Sequence, residues 1–138
     1  QGWSYGGFMS AYALTHSKRF CLGLAGGSVT EWDEYDSIYT ERFMKTPKHN
    51  AEGYAKTSVQ KAAKDLSGAL VLAHGAIDDN VHPGNTLRLV NELQKAGKAF
   101  DFMLYPRSRH GLGSFEQNRH WRATMVRAVD EHLLGARR

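Results

Sequence analysis

Gly2-Trp3-Ser4-Tyr5-Gly6 sets a serine between two glycines in the pattern G-x-S-x-G. The pattern suits a strained strand-to-helix turn, where glycines let neighbouring backbone approach closely and the Ser4 hydroxyl projects outward. A serine hydroxyl is a poor nucleophile until an imidazole takes its proton. The imidazole in turn needs a carboxylate on its other nitrogen, to fix its tautomer and stabilise its charged form. Both partners lie downstream: Asp78, with Asp79 as its rival, follows one apolar run, and His110 follows another. The Tyr5 N–H, beside Ser4 at the helix start, is placed to donate to an oxyanion. G-x-S-x-G alone is common enough to be a bare turn; the order Ser, Asp, His gives it weight.

These residues must be carried by elements that end at one place. Residues 5–17 read as a helix, with Phe8, Ala11, Tyr12 and Ala13 on or near one stripe. Residues 20–26, 69–74 and 99–105 read as short strands, the first two apolar throughout, as expected of strands covered on both faces. Residues 28–56 are aromatic-rich and irregular, with short helices expected. Residues 57–67 read as a small helix burying Val59, Ala62, Ala63 and Leu66. A further helix begins at Pro83, buries Leu87, Val90 and Leu93, and stops at Gly97. The last helix spans about 115–134, with Trp121, Met125, Val129 and Leu133 at helical spacing. Strands alternating with helices imply a parallel sheet. Asp78 and His110 then fall at the carboxyl ends of their strands, the edge where parallel sheets build sites. The strand that should feed the Ser4 turn is expected to be missing.

With 138 residues, 41% hydrophobic and 23% charged, the chain suits one folded domain rather than disorder. The net charge of +4 comes from scattered basic residues, apart from the terminal Arg137-Arg138, and no basic stripe interleaves with aromatics. No nucleic-acid partner is therefore expected. Cys21 is the single cysteine and lies in an apolar run, so a buried, inert thiol is expected. No apolar stretch reaches the 18 residues that a membrane span needs, and no signal peptide is visible. A soluble chain, cytoplasmic or periplasmic, is expected. His74 and His82 bracket Asp78 and Asp79, but the spacing matches no recognised zinc pattern. Neither a metal nor a cofactor is read from the sequence.

GWSYGG, WDEYDSIYTERFM, HGAIDDNVH and the late RHG together resemble the catalytic domain of the prolyl oligopeptidase family, in its dipeptidyl peptidase IV subfamily. The resemblance implies an α/β fold: the C-terminal part of an α/β-hydrolase, occupying residues 1–138, truncated before the strand that enters the nucleophile turn. It implies a serine peptidase that releases X-Pro or X-Ala dipeptides from peptide amino termini through an acyl-enzyme. Ser4 would be the nucleophile, Asp78 the orienting acid and His110 the general base, with Tyr5 as oxyanion donor. Tyr5, Val29, Trp32, Tyr35, Tyr39 and Val81 would line the pocket for the penultimate residue. A rigid aromatic box suits a pyrrolidine ring, and Asn80 would hold a substrate carbonyl. The alternative is another activity of the same fold: acylaminoacyl peptidase, oligopeptidase or esterase.

The family pattern includes parts not seen in this sequence. They are the upstream strands, an upstream tyrosine that completes the oxyanion hole, and a β-propeller domain whose acidic pair grips the substrate amine. The isolated chain is accordingly expected to be a weak or inactive catalyst. A bare strand edge further leads us to expect a homo-oligomer.

Overall fold

The computed structural model describes residues 1–135. Four parallel strands form one sheet in the order β1-β2-β3-β4: β1 (Gly2–Trp3), β2 (Leu22–Gly26), β3 (Ala69–Gly75) and β4 (Asp101–Tyr105). The helices are α1 (Tyr5–His16), α2 (Ser37–Met44), α3 (Ala51–Thr57), α4 (Gly84–Lys95) and α5 (Phe115–His132), with short 3-10 turns at Trp32–Glu34 and Ala63–Asp65. A helix follows each strand, so every crossover returns to the same edge of the sheet. The strand entering the Ser4 turn, expected to be missing, is present as the two-residue β1, paired with β2 as Gly2↔Ala25 and Trp3↔Gly26.

Alternation along the strands divides the apolar side chains between two faces, because successive Cβ atoms point to opposite sides. Leu70 and Leu72 of β3 pack in one cluster with Phe8, Ala11 and Leu14 of α1 and Leu89 and Leu93 of α4. Val71 and Ala73 pack in the other with Leu24, Tyr105 and, from α5, Trp121 and Ala128. Helices on both faces explain why β3 reads as a continuous apolar run.

Several local expectations are corrected. Residues 57–67 do not form a helix: α3 stops at Thr57, Ser58 is extended and Val59 N–H donates to the Thr30 carbonyl. Only a 3-10 turn follows. Val59, Ala63 and Leu66 are buried as expected, through a tertiary contact rather than helical spacing. In α4 the buried face is Asn85, Thr86, Leu89 and Leu93, while Leu87 points outward. In α5 Thr124 and Ala128 are buried and Leu133 lies exposed past the helix end. Cys21 is exposed, because it precedes β2 in a turn whose carbonyl accepts from Ala69 N–H.

The glycines of the serine motif differ in what they permit. A Cβ on Gly2 would lie 2.3 Å from the Gly6 carbonyl carbon, and one on Gly7 would lie 2.3 Å from Ser28 Oγ and 2.4 Å from Gly26 O. Gly6, the second glycine of the G-x-S-x-G pattern, would meet nothing within 4 Å among the described residues. Close approach therefore requires Gly2 and Gly7, not Gly6. Gly7→Ala is expected to destabilise the fold by about 1–3 kcal/mol, the range for overpacking against atoms that cannot yield. Gly6→Ala, inside α1, is expected to be neutral or to gain up to about 1 kcal/mol from helix propensity. Urea unfolding midpoints of the two variants check the contrast, and equal losses would refute it.

Candidate active site

Backbone hydrogen bonds run past the ends of the strands and bring the loop tips together. Ser4 N–H donates to Gly26 O (2.8 Å), Gly27 N–H to Ala73 O (2.9 Å) and Ala76 N–H to Tyr105 O (2.9 Å). Ile77 N–H then donates to Ser108 O at 3.1 Å, joining the loop after β3 to the loop after β4. Ser4, Asp78 and His110 thereby project from one edge of the sheet.

Ser4 occupies φ +59° and ψ −120°. A positive φ is costly for a residue with a Cβ, and the two-residue step from β1 into α1 requires it. Serine is a favoured helix N-cap, yet the Ser4 side chain makes no cap bond to α1. Its Oγ instead lies 2.8 Å from His110 Nε2. His110 Nδ1 lies 2.9 Å from Asp78 Oδ2. A carboxylate only accepts, so Nδ1 carries the proton, and Nε2 is left to accept from the Ser4 hydroxyl. Tyr5 is the first residue of α1, and N–H groups there have no partner within the helix.

Asp78 is buried, and its charge is met on both oxygens. Oδ1 accepts from Asn80 N–H and Val81 N–H, each at 3.0 Å. Oδ2 accepts from His110 and lies 3.2 Å from His74 Nε2. Asp79, the rival carboxylate, is exposed and pairs with Arg109 at the surface. Geometry thus separates the two neighbours: Asp78 faces the imidazole and Asp79 faces solvent. His82 is exposed, and its Nδ1 accepts from Gly84 N–H.

The expected pocket residues fall into two groups. Trp32 anchors an aromatic cluster, with ring centroids 5.9 Å from Tyr5, 6.2 Å from Tyr35 and 6.3 Å from Tyr39. Asp36 caps α2 by accepting from Ile38 N–H and Tyr39 N–H, which fixes where Tyr39 starts. Val29 and Val81 are fully enclosed, packed in the same core as Trp32. Asn85 Oδ1 accepts from Thr30 N–H and its backbone carbonyl accepts from Thr30 Oγ1, locking the Val29–Trp32 segment to the start of α4. Tyr35 Oη donates to Asn80 Oδ1 at 2.7 Å, which occupies the amide oxygen of this exposed side chain. Burial pushes the Tyr35 hydroxyl pKa up, so it remains a donor. A cavity of about 400 Å³ is lined by Tyr5, Trp32 and Tyr39 together with Phe8, Phe43 and Met44.

The sequence matches the prolyl oligopeptidase family over residues 1–135. The chain belongs to that family. It is 45% identical over 122 residues to a probable dipeptidyl-aminopeptidase B of Aspergillus niger, covering 86% of this chain and 14% of that protein. It is 39% identical over 136 residues to human dipeptidyl peptidase 8, covering 96% of this chain and 15% of that one. The crystal structure of Porphyromonas gingivalis dipeptidyl peptidase 4 superposes with a TM-score of 0.93 at 37% identity, over 96% of this chain and 19% of that one. The chain therefore spans about one-seventh of the length of the curated relatives it matches. The parallel sheet with flanking helices is part of an α/β-hydrolase fold, shared with these peptidases. Among the described residues, no helix is long and apolar enough to cross a membrane.

Two neighbours of the site were given no part in it by the sequence: Trp3, and His74, which was weighed only as a metal ligand. Trp3 Nε1 donates to the His110 carbonyl, while its ring packs on Gly26 and edge-on against Trp121. His74 is wholly buried behind Asp78. Trp3 lies inside the serine motif, and an indole N–H must find an acceptor when buried, but the sequence does not say which.

Two outcomes follow from these geometries. Ser4→Ala and Ser4→Gly both delete the hydroxyl, and only glycine relaxes the positive φ. Ser4→Gly is expected to be more stable than Ser4→Ala by about 1 kcal/mol; urea titration reads the difference, and a less stable Gly variant would contradict the strain. Glu31, beside Trp32, is buried and accepts from Ser58 Oγ. Burial holds its carboxyl pKa above the ordinary value of 4.5, against the opposing Ser58 bond. A raised folded pKa means the fold favours the neutral acid, and that contribution is lost as pH rises through the folded value. Glu31→Gln should therefore match the parent below about pH 4.5 and gain relative to it as pH rises, which thermal melts across pH 4–8 can follow.

Proposed function

We propose that this chain forms the catalytic end of a serine peptidase that removes X-Pro or X-Ala dipeptides from peptide amino termini. The observation that carries the reading is the continuous contact from Ser4 Oγ to His110 Nε2 (2.8 Å) and from His110 Nδ1 to the buried Asp78 (2.9 Å). In this reading the Ser4 oxygen attacks the scissile carbonyl as its proton passes to His110 Nε2. Asp78 stabilises the imidazolium that results. The Tyr5 N–H donates to the oxyanion. His110 then protonates the leaving amine, and the dipeptide stays on Ser4 as an ester. Water, deprotonated by the same imidazole, releases it.

The aromatic cluster gives the specificity. Tyr5, Trp32, Tyr35 and Tyr39 offer apolar faces to a ring that carries no donor, with Val29 and Val81 enclosed in the core that supports Trp32. The Asn80 amide, its oxygen taken by Tyr35, donates to a substrate carbonyl. Peptide is the partner, and the chemistry asks for no cofactor and no metal.

A fluorophosphonate probe should label Ser4 in the intact protein, and His110→Ala should cut labelling by at least about a thousandfold. A Gly-Pro chromogenic amide with a free amino terminus should be hydrolysed, and its N-acetylated form should not. Equal hydrolysis of both would remove the dipeptidyl specificity and favour an acylaminoacyl peptidase or oligopeptidase. No labelling would remove the serine-hydrolase reading itself. The isolated 138-residue chain should turn over roughly a hundred- to a thousandfold more slowly than the intact protein, the range for losing one oxyanion donor.

A further inference from the structure

We propose that His74 is a positioning residue for this site: its Nε2–H, shared between Val81 O and Asp78 Oδ2, holds the Asp78 carboxylate toward His110, and Thr86 fixes the tautomer that makes this possible. The inference rests on the reading of Ser4, His110 and Asp78 given above.

The hydrogen-bond directions leave one assignment. His74 Nε2 lies 2.8 Å from Val81 O and 3.2 Å from Asp78 Oδ2. Both neighbours are pure acceptors, so Nε2 must carry the proton. His74 Nδ1 lies 2.7 Å from Thr86 Oγ1. Burial drives His74 toward its neutral form, against the opposing pull of Asp78. Nδ1 is then a lone pair, and the Thr86 hydroxyl donates to it. The result is an ordered set of contacts: Thr86 O–H donates to His74 Nδ1, His74 Nε2–H donates to Val81 O and lies 3.2 Å from Asp78 Oδ2, and His110 Nδ1–H donates to that same oxygen. His74, Thr86 and Asp78 are all at or below 3% exposure, so these three side chains are shielded from bulk water.

The carboxylate needs this second donor for a geometric reason. Asn80 and Val81 N–H groups pin Oδ1. Two bonds to one oxygen leave the group free to pivot about it, and His110 sits on an accessible loop with its side chain 23% exposed. His74 stands on β3 and gives Oδ2 a fixed partner whether or not His110 is in place. A satisfied core histidine with no influence on Asp78 is the competing account. It predicts that loss of His74 costs stability and leaves the chemical step alone.

The test compares His74→Phe, His74→Gln and Thr86→Val in the intact protein, reading the rate of fluorophosphonate labelling, kcat and KM on the Gly-Pro substrate, and melting temperature. Glutamine can return an N–H near Nε2; phenylalanine cannot. His74→Phe should lower labelling and kcat about tenfold, the lower end for loss of an orienting partner, with KM unchanged. His74→Gln should recover most of the loss. A folded His74→Phe protein that labels at the parent rate overturns the proposal, as does a glutamine variant no faster than phenylalanine. If His74→Phe does not fold, Thr86→Val decides: slower labelling supports the chain, and an unchanged rate overturns it. Labelling needs no dipeptide, so failure on the Gly-Pro substrate alone touches specificity and not this inference. If the parent is not labelled at all, imidazole nitrogen NMR decides. An Nε2–H tautomer at His74 that responds to Asp78→Asn supports the link, and an Nδ1–H tautomer or no response removes it.

Discussion

A buried carboxylate organises this fold. Taking an ion out of water costs several kcal/mol unless its lone pairs are met, and Asp78 has no exposed side-chain surface. Meeting that demand draws on three parts of the chain. The turn after β3 supplies Asn80 and Val81 N–H, the loop after β4 supplies His110, and β3 itself places the His74 ring 3.2 Å away. Each donor holds still only if its own element is fixed. Val81 is therefore sealed in the core, and the loop after β4 is sewn to the loop after β3 through Ile77 and Ser108. The packing of half the domain follows from keeping one negative charge comfortable.

Ser4 shows the opposite arrangement, in which local comfort is given up. α5 starts with a full capping box, Ser114 and Gln117 each bonding the other's backbone. α1 starts with an equally suitable serine that leaves its helix uncapped and sits at a positive φ. The difference between two serines at two helix starts is where the hydroxyl points. At Ser114 it stabilises a helix, and at Ser4 it faces an imidazole. The parallel pairing of Gly2–Trp3 with β2 and the tight fit of Gly7 on Gly26 offset that strain.

Much of this was legible in the sequence where a physical rule has one solution. Buried parallel strands read as apolar runs, and Asp78 and His110 follow such runs, with Ser4 ahead of both in a G-x-S-x-G turn. The aromatic residues from Trp32 to Phe43 could be grouped but not placed, because their positions depend on caps such as Asp36 and on the Thr30–Asn85 lock. Spacing failed where a long-range contact overrode local pattern. Val59 and Leu66 look helical by period, yet the chain there is bent by the Thr30 carbonyl. Leu87 looked buried because it is apolar, but α4 turns Asn85 and Thr86 inward to serve Thr30 and His74. A polar residue facing inward is invisible to hydrophobic periodicity. Cys21 misled for the related reason that an apolar neighbourhood in sequence became a solvent-facing turn.

The aromatic wall comes mostly from one stretch between β2 and β3, whereas Ser4, Asp78 and His110 come from three separate loops. Evolution can therefore treat the two differently. The segment around Trp32, Tyr35 and Tyr39 is one contiguous passage held to the rest by the Thr30–Asn85 and Tyr35–Asn80 hydrogen bonds, so it can vary between those ties while Ser4, Asp78 and His110 keep their places. Ser4, Asp78 and His110 allow no such piecemeal revision, since moving any one of them means re-registering the sheet that carries all three.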